Sequence, residues 1–173
     1  MVRAMAPGPR ALAPGILAIL LVADPAEALD PGKAISQFRH EVWGARQGLP
    51  QSSAEALTQT RDGYLWIGTQ EGLARFDGVR FVVWDKASAP ELRHNRVLSL
   101  LEDRSGRLWL GTEGGGLSVL QDGTIRTFGR SEGLGSDIVR SLAEDGAGTL
   151  WIGTEAGLAT RSGGSFETRE ASQ

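Results

Sequence analysis

The chain has 173 residues, 40% of them hydrophobic and 23% charged, with a formal net charge of −3. That composition suits a globular domain with its own core, and the weak acidic balance without a basic block argues against nucleic acid as a partner. The chain has no cysteine, which excludes a disulfide framework, a thiol nucleophile and a cysteine-based metal centre.

The N-terminal segment, as far as Ala28, differs from the rest. Arg3 and Arg10 make a positive start, Ala11 to Ala23 is an apolar run, and Ala26-Glu27-Ala28 is a small-x-small site. The pattern predicts a secretory signal peptide over residues 1–28, cleaved after Ala28. The run is short for a membrane span of about 20 residues; an uncleaved N-terminal anchor is the alternative. The absence of cysteine excludes a lipoprotein, and no later segment is apolar enough to span a bilayer. The mature chain is therefore expected to be periplasmic or secreted, with no membrane span.

Residues 29–53 are expected to supply one strand, Phe38–Gly44, and a lead-in loop containing Gln47-Gly48-Leu49-Pro50. From residue 54 the chain repeats itself. Leu65-Trp66-Ile67-Gly68-Thr69 returns as Leu108-Trp109-Leu110-Gly111-Thr112 and as Leu150-Trp151-Ile152-Gly153-Thr154. Aligned on tryptophan, leucine recurs at two upstream offsets: Leu49, Leu92 and Leu134 share the first, and Leu57, Leu100 and Leu142 the second. Glycine recurs just before the segment (Gly63, Gly106, Gly148) and just after it (Gly72, Gly115, Gly157). A period of about 40–50 residues built of short strands and glycine turns is the signature of β-propeller blades. The predicted fold is all-β: a partial propeller of about three four-stranded antiparallel blades over 54–85, 97–129 and 138–170, plus the extra N-terminal strand.

Within each copy the first strand is predicted at Ala54–Gln59, Val97–Glu102 and Ile138–Glu144, and the second is the Leu-Trp-x-Gly-Thr segment. The third begins at Leu73, Leu117 or Leu158, and the fourth covers Val79–Asp85, Thr124–Gly129 or Ser165–Glu170. Asp77-Gly78, Asp122-Gly123 and Gly163-Gly164 are suited to two-residue hairpins. Strand alternation puts the tryptophan on one face and its aliphatic neighbours on the other. Trp66, Trp109 and Trp151 are thus expected to pack between blades, with Gly68, Gly111 and Gly153 allowing close approach of the next sheet. The strand Phe38–Gly44 mirrors Thr124–Gly129 and is expected to be the outermost strand of a blade that the chain does not contain.

Gly48-Leu49-Pro50, then Asp62-Gly63-Tyr64-Leu65-Trp66-Ile67-Gly68-Thr69 and Gly72-Leu73, resembles the two-component regulator propeller repeat, over roughly residues 35–170. The resemblance implies the periplasmic sensor region of a hybrid histidine kinase or diguanylate cyclase. No phospho-accepting histidine motif or cyclase domain follows in these 173 residues, so the chain is expected to be an N-terminal fragment of a sensor without its output, and not an enzyme.

No catalytic constellation, cofactor motif or metal-ligand spacing is legible. The pairs Glu102-Asp103 and Glu144-Asp145 stand beside turn glycines, where an aspartate caps the turn through the backbone. Acid–base work on a glycoside, and hence a propeller enzyme, is the minor alternative. The candidate ligand surface is the end carrying the fourth-to-first and second-to-third strand loops, with Gln51, Ser52, Arg93, His94, Asn95, Arg96 and Glu113. The expected partner is a small molecule or carbohydrate. Further blades of a longer protein would cover the open faces, or a second copy pairing into a ring if the chain is a standalone interaction protein.

Overall fold

The computed structural model describes residues 41–169, apart from the side chain of Arg169. They fall within one compact unit, Glu41–Gln173. The expected signal peptide (1–28), residues 29–40 with His40 and the start of the expected first strand, and residues 170–173 lie outside the described residues.

Three four-stranded antiparallel sheets follow one another in the chain, as a partial propeller requires. Blade 1 is β1 (Ala54–Gln59), β2 (Leu65–Thr69), β3 (Leu73–Phe76) and β4 (Phe81–Trp84). Blade 2 is β5 (Val97–Glu102), β6 (Leu108–Thr112), β7 (Leu117–Gln121) and β8 (Thr124–Phe128). Blade 3 is β9 (Val139–Glu144), β10 (Leu150–Thr154), β11 (Gly157–Ser162) and β12 (Ser165–Arg169). Each sheet runs in simple chain order, and the first strands β1, β5 and β9 lie side by side.

The repeated segment does three jobs. Its tryptophan faces the following blade: Trp66 packs with Val97, Leu108 and Leu110 of blade 2, and Trp109 with Leu150 and Ile152 of blade 3. The indole N–H is then fixed to a side chain in the preceding turn. Trp66 Nε1 donates to Thr60 Oγ1 at 3.0 Å, Trp109 to Asp103 Oδ2 at 2.8 Å and Trp151 to Asp145 Oδ2 at 2.9 Å. A buried indole needs such a partner, because an unpaired donor costs its full desolvation penalty. The glycine that follows in the motif admits the neighbouring sheet. A Cβ on Gly68 would stand 2.8 Å from Val97 Cγ1 and the Val97 carbonyl, and one on Gly111 would stand 2.7 Å from Val139 Cγ1. The threonine closes the loop that follows: Thr69, Thr112 and Thr154 donate from Oγ1 to the carbonyls of Gly72, Gly116 and Gly157. In blade 2 the extra glycine therefore makes Gly116, rather than Gly115, the counterpart of Gly72.

Trp109 is 1% exposed, whereas Trp151 is only half-buried, since no blade follows it among the described residues. At the other open face, Leu57 is 64% exposed and Leu65, Ile67 and Phe76 line a cavity of about 280 Å³. Trp43 also lines it, 4.6 Å from Phe76 and 6.3 Å from Phe81 between ring centroids. This repeats the way Phe128 of blade 2 meets Phe166 of blade 3, at 5.3 Å. Trp43 thus rests on blade 1 as the last strand of a preceding blade would, although Glu41–Gly44 are not paired as a strand.

Several strand limits shift. β4 begins at Phe81, not Val79, because Asp77 Oδ1 accepts the backbone N–H groups of Val79 and Arg80 and holds them in a wider turn. Asp122-Gly123 and Gly163-Gly164 do make two-residue hairpins, with φ of 50° and 76° and of 58° and 97°. β9 begins at Val139, with Ile138 in an isolated bridge to Glu113.

A second tie joins the blades through their first turns. Arg61 of blade 1 donates to the Asp103 and Arg104 carbonyls and pairs with Glu102 at 3.3 Å. Arg104 of blade 2 repeats this on blade 3, donating to the Asp145 and Gly146 carbonyls and pairing with Glu144 at 3.0 Å. Both arginines are more than half exposed, so each ion pair adds roughly 0.2–1 kcal/mol.

Asp103→Ala is expected to lower stability by about 2–3 kcal/mol in urea unfolding, because it strands the Trp109 N–H and the turn amides of a buried carboxylate. Gly111→Ala is expected to cost about 2 kcal/mol or more in the same assay by wedging blade 2 from blade 3, while Gly146→Ala, whose Cβ meets nothing within 4 Å, stays near neutral.

Candidate functional site

One end of the sheets carries the β4–β5 and β8–β9 connections and the β2–β3, β6–β7 and β10–β11 loops. The chain builds this end with recurrent devices. Gly44 and Gly129 each open a short 3₁₀ turn, Ala45–Gln47 and Arg130–Glu132. The side chains of Gln47 and Glu132 accept the glycine N–H groups, and Gly48 and Gly133 end the turns at φ 105° and 95°. Leu49 and Leu134 are buried just beyond. Leu92 fills the same place in the longer β4–β5 loop, which explains why these three leucines share one offset from tryptophan.

The sequence-derived site residues all fall at this end, in different states. Asn95 Oδ1 accepts the Lys86 N–H at 2.9 Å, and Asp137 Oδ1 accepts the Arg130 N–H at 2.9 Å. Asn95 and Asp137 stand at the same offset before Trp109 and Trp151, so this position of the repeat is a loop clip. Gln51 Oε1 accepts the Ser53 N–H at 2.7 Å, and Ser52 is exposed beside it. Arg93 lies 3.8 Å from Glu132. His94 Nδ1 accepts the Arg96 N–H; its ring lies against Gly114, and its backbone nitrogen and Cβ lie against Gly115.

Arg96 is the hub. Its guanidinium meets Glu55 Oε1 of blade 1 at 3.0 Å and Glu113 Oε2 of blade 2 at 2.8 Å. Gln70 Nε2 also donates to Glu55 at 3.0 Å. The Arg96 hydrogen bond, then that from Gln70, holds the Glu55 carboxyl below its ordinary range, and bonding to Glu55 and Glu113 raises the Arg96 guanidinium. Sequence reasoning missed Glu55. The register explains why Glu55 points here. A β-bulge interrupts the first strand of every blade at Glu55, Leu98 and Arg140, and a bulge re-aims its side chain. All three occupy one shared offset upstream of the tryptophan. In blade 3 the bulge residue Arg140 pairs with Glu155, which sits where Gln70 and Glu113 do, so the polarity of the blade 1 contact is reversed.

The paired carboxylates are engaged elsewhere. Asp103 Oδ1 accepts the N–H groups of Ser105 and Arg107, and Asp145 Oδ1 those of Ala147 and Thr149. Burial pushes the Asp103 carboxyl up, but the bonds from Trp109 and Arg107 outweigh it and hold the group low; the Trp151 bond foremost does the same for Asp145. Glu102 and Glu144 receive the interblade arginines. Among the described residues no three histidine or acidic side chains gather as a metal site, and no helix is long and apolar enough to cross a membrane.

With three blades and this loop end in view, residues 48–71, 91–114 and 133–156 each match the two component regulator propeller repeat. The chain carries three repeats of that family. Among solved structures, it resembles the extracellular domain of the protein assigned as hybrid two component system BT3049 of B. thetaiotaomicron, at 27% identity and a TM-score of 0.61, over 70% of this chain and 17% of that one. It also shares its fold with PorZ, a bacterial surface component of the type-IX secretion system of Porphyromonas gingivalis (21% identity, TM-score 0.54, 66% of this chain and 18% of that one). Virginiamycin B lyase of Staphylococcus aureus is a third (14%, 0.55, 69% and 42%). The chain spans less than half the length of each. No curated protein matches its sequence.

The Arg96 hub makes stability acid-sensitive. The Glu55 carboxyl is lowered by folding, so its contribution is present above the unfolded value of 4.5 and is lost as pH falls below that through the folded value. Arg96→Ala is expected to flatten the fall in melting temperature between about pH 5 and pH 3, measured by circular dichroism.

Proposed function

We propose that this chain is a ligand-sensing propeller portion of a transmembrane signalling receptor, acting outside the cytoplasm. The observation that carries the reading is the threefold match to the two component regulator propeller repeat, joined to 27% identity and a common fold with the extracellular domain of BT3049. The signal pattern over residues 1–28 agrees with export. The ligand surface is the loop end around Arg96, Glu113, His94 and Gln51, where a cation flanked by carboxylates and amides suits the hydroxyls of a small polar molecule or carbohydrate. Catalysis is not part of the proposal, since the carboxylates that could perform acid–base work hold turns and neighbouring blades. The kinase or cyclase output belongs to the receptor beyond these residues.

At the open faces the interblade tie is missing, whichever blade covers them. The interblade tie needs an arginine in the first turn of one blade and a glutamate ending the first strand of the next. Blade 3 has Gly146 at the arginine position and blade 1 has Gln59 at the glutamate position. Blade 3 of one copy docked on blade 1 of another would therefore lack the tie that both internal junctions have.

Two measurements test this reading. Alkaline phosphatase fused after Gln173 is expected to be active in a bacterial host, which requires export; an inactive, cytoplasmic fusion would overturn the extracytoplasmic assignment. A calorimetric screen of the exported chain against oligosaccharides and polar metabolites is expected to give a ligand whose affinity falls about tenfold in Arg96→Ala, the loss of one charge-assisted contact. A ligand bound equally by both proteins would place the sensing surface elsewhere.

A further inference from the structure

The opposite end of the molecule holds a cleft of about 370 Å³ between blades 2 and 3, lined by Arg107, Arg126, Arg161, Trp109, Phe128 and Asp122, among others. Its three cations gather on two aromatic rings. Arg107 and Arg161 both lie over the Trp109 ring, with Cζ at 5.4 and 5.1 Å from the centroid. Arg126 and Arg161 both lie over Phe128, at 4.9 and 5.3 Å, and the two rings are 6.3 Å apart.

Only one of the three is neutralised. Arg107 pairs with Asp103 at 2.6 Å, and that carboxylate is already committed to the Trp109 indole and the turn. Neither Arg126 nor Arg161 has an ion pair among the described residues, and Arg161 Nε is buried with no hydrogen-bond partner. Burial, then the charges of Arg107 and Arg126, pull the Arg161 guanidinium below its ordinary value. Like charges held together away from water are costly unless something opposes them.

The fold does not require this arrangement. Strand register makes Tyr64, Val82 and Leu120 the counterparts of Arg107, Arg126 and Arg161 at the junction of blades 1 and 2. All three are neutral there, and Leu120 and Tyr64 join the hydrophobic cluster around Trp66. That junction holds a single cation over its rings, Arg75, against Tyr64, Trp66 and Trp84. The cluster of three cations is a property of one junction and not of the repeat.

We propose that the cleft between blades 2 and 3 binds an oxyanion, a carboxylate or a tetrahedral sulfate or phosphate group, held by Arg126 and Arg161 with Arg107 behind them and the Trp109 and Phe128 rings as walls. Guanidinium forks suit bidentate binding of such groups. Asp122 at the mouth, exposed and at the β7–β8 turn, restricts entry to a group that reaches past it to the rings. The site lies at the far end from Arg96, so it stands or falls apart from the sensing surface proposed above.

The test is calorimetric titration of the whole chain with sodium sulfate and, separately, sodium acetate, at constant ionic strength. Saturable binding of at least one salt is expected. Arg161→Leu, which installs the residue found at the other junction, is expected to remove it, and Arg126→Gln, at an exposed position, to weaken it about tenfold. Arg96→Ala should leave it unchanged. Binding of sulfate alone assigns a tetrahedral group and binding of acetate alone a carboxylate. No saturable binding of either salt, or unchanged affinity in Arg126→Gln, overturns the proposal, and the second variant reads the site even if Arg161→Leu fails to fold.

Discussion

The structure depends on the way Trp66 and Trp109 are held at two ends. The ring projects from its own blade into the next, while its N–H is fixed to a residue of the preceding turn in its own blade. A large apolar ring supplies the area that makes blade stacking favourable. The hydrogen bond removes the freedom and the desolvation cost that would otherwise oppose it. Because Asp103 and Asp145 also gather the amides of the turn, one carboxylate couples the shape of the first hairpin to the position of the interblade ring.

Much else follows from that geometry. Glycine stands next but one after tryptophan because the ring draws the next first strand onto the backbone there. Leu108, Leu110, Leu150 and Ile152 face backward because strand alternation leaves the other face for the following blade. The arginine-to-glutamate tie crosses the same two junctions and stops at Gln59 and Gly146. Packing defines the stack, and the polar tie marks which junctions lie inside these three blades.

The two ends of the sheets put charge to different use. Around Arg96 every charged group is engaged: one guanidinium is shared by two carboxylates, Glu55 and Glu113, across two blades. Around Arg161 cations outnumber the carboxylates that meet them, and aromatic faces hold them. In the first cluster the cation is satisfied by carboxylates of two blades, whereas the cations of the second that are unpaired among the described residues are the basis of the proposed oxyanion site.

The repeat in the sequence by itself determined the blade count, the strand order, the hairpins at Asp122-Gly123 and Gly163-Gly164, and the interblade role of Trp66 and Trp109. Those features are local, or recur at fixed offsets, so period and turn chemistry reveal them. It also located the loop end carrying Arg93, His94, Asn95, Arg96 and Glu113, but not their roles. Only the tertiary structure showed that Asn95 clips a loop while Arg96 bridges two blades. Only strand register showed that a bulge turns Glu55 toward Arg96. The arginine cleft was likewise invisible, since Arg107, Arg126 and Arg161 sit on three different strands or turns and meet only when blade 3 closes on blade 2. Local chemistry is written along the chain, whereas the sum of charges in a cleft depends on which strands stack and on which face each residue points.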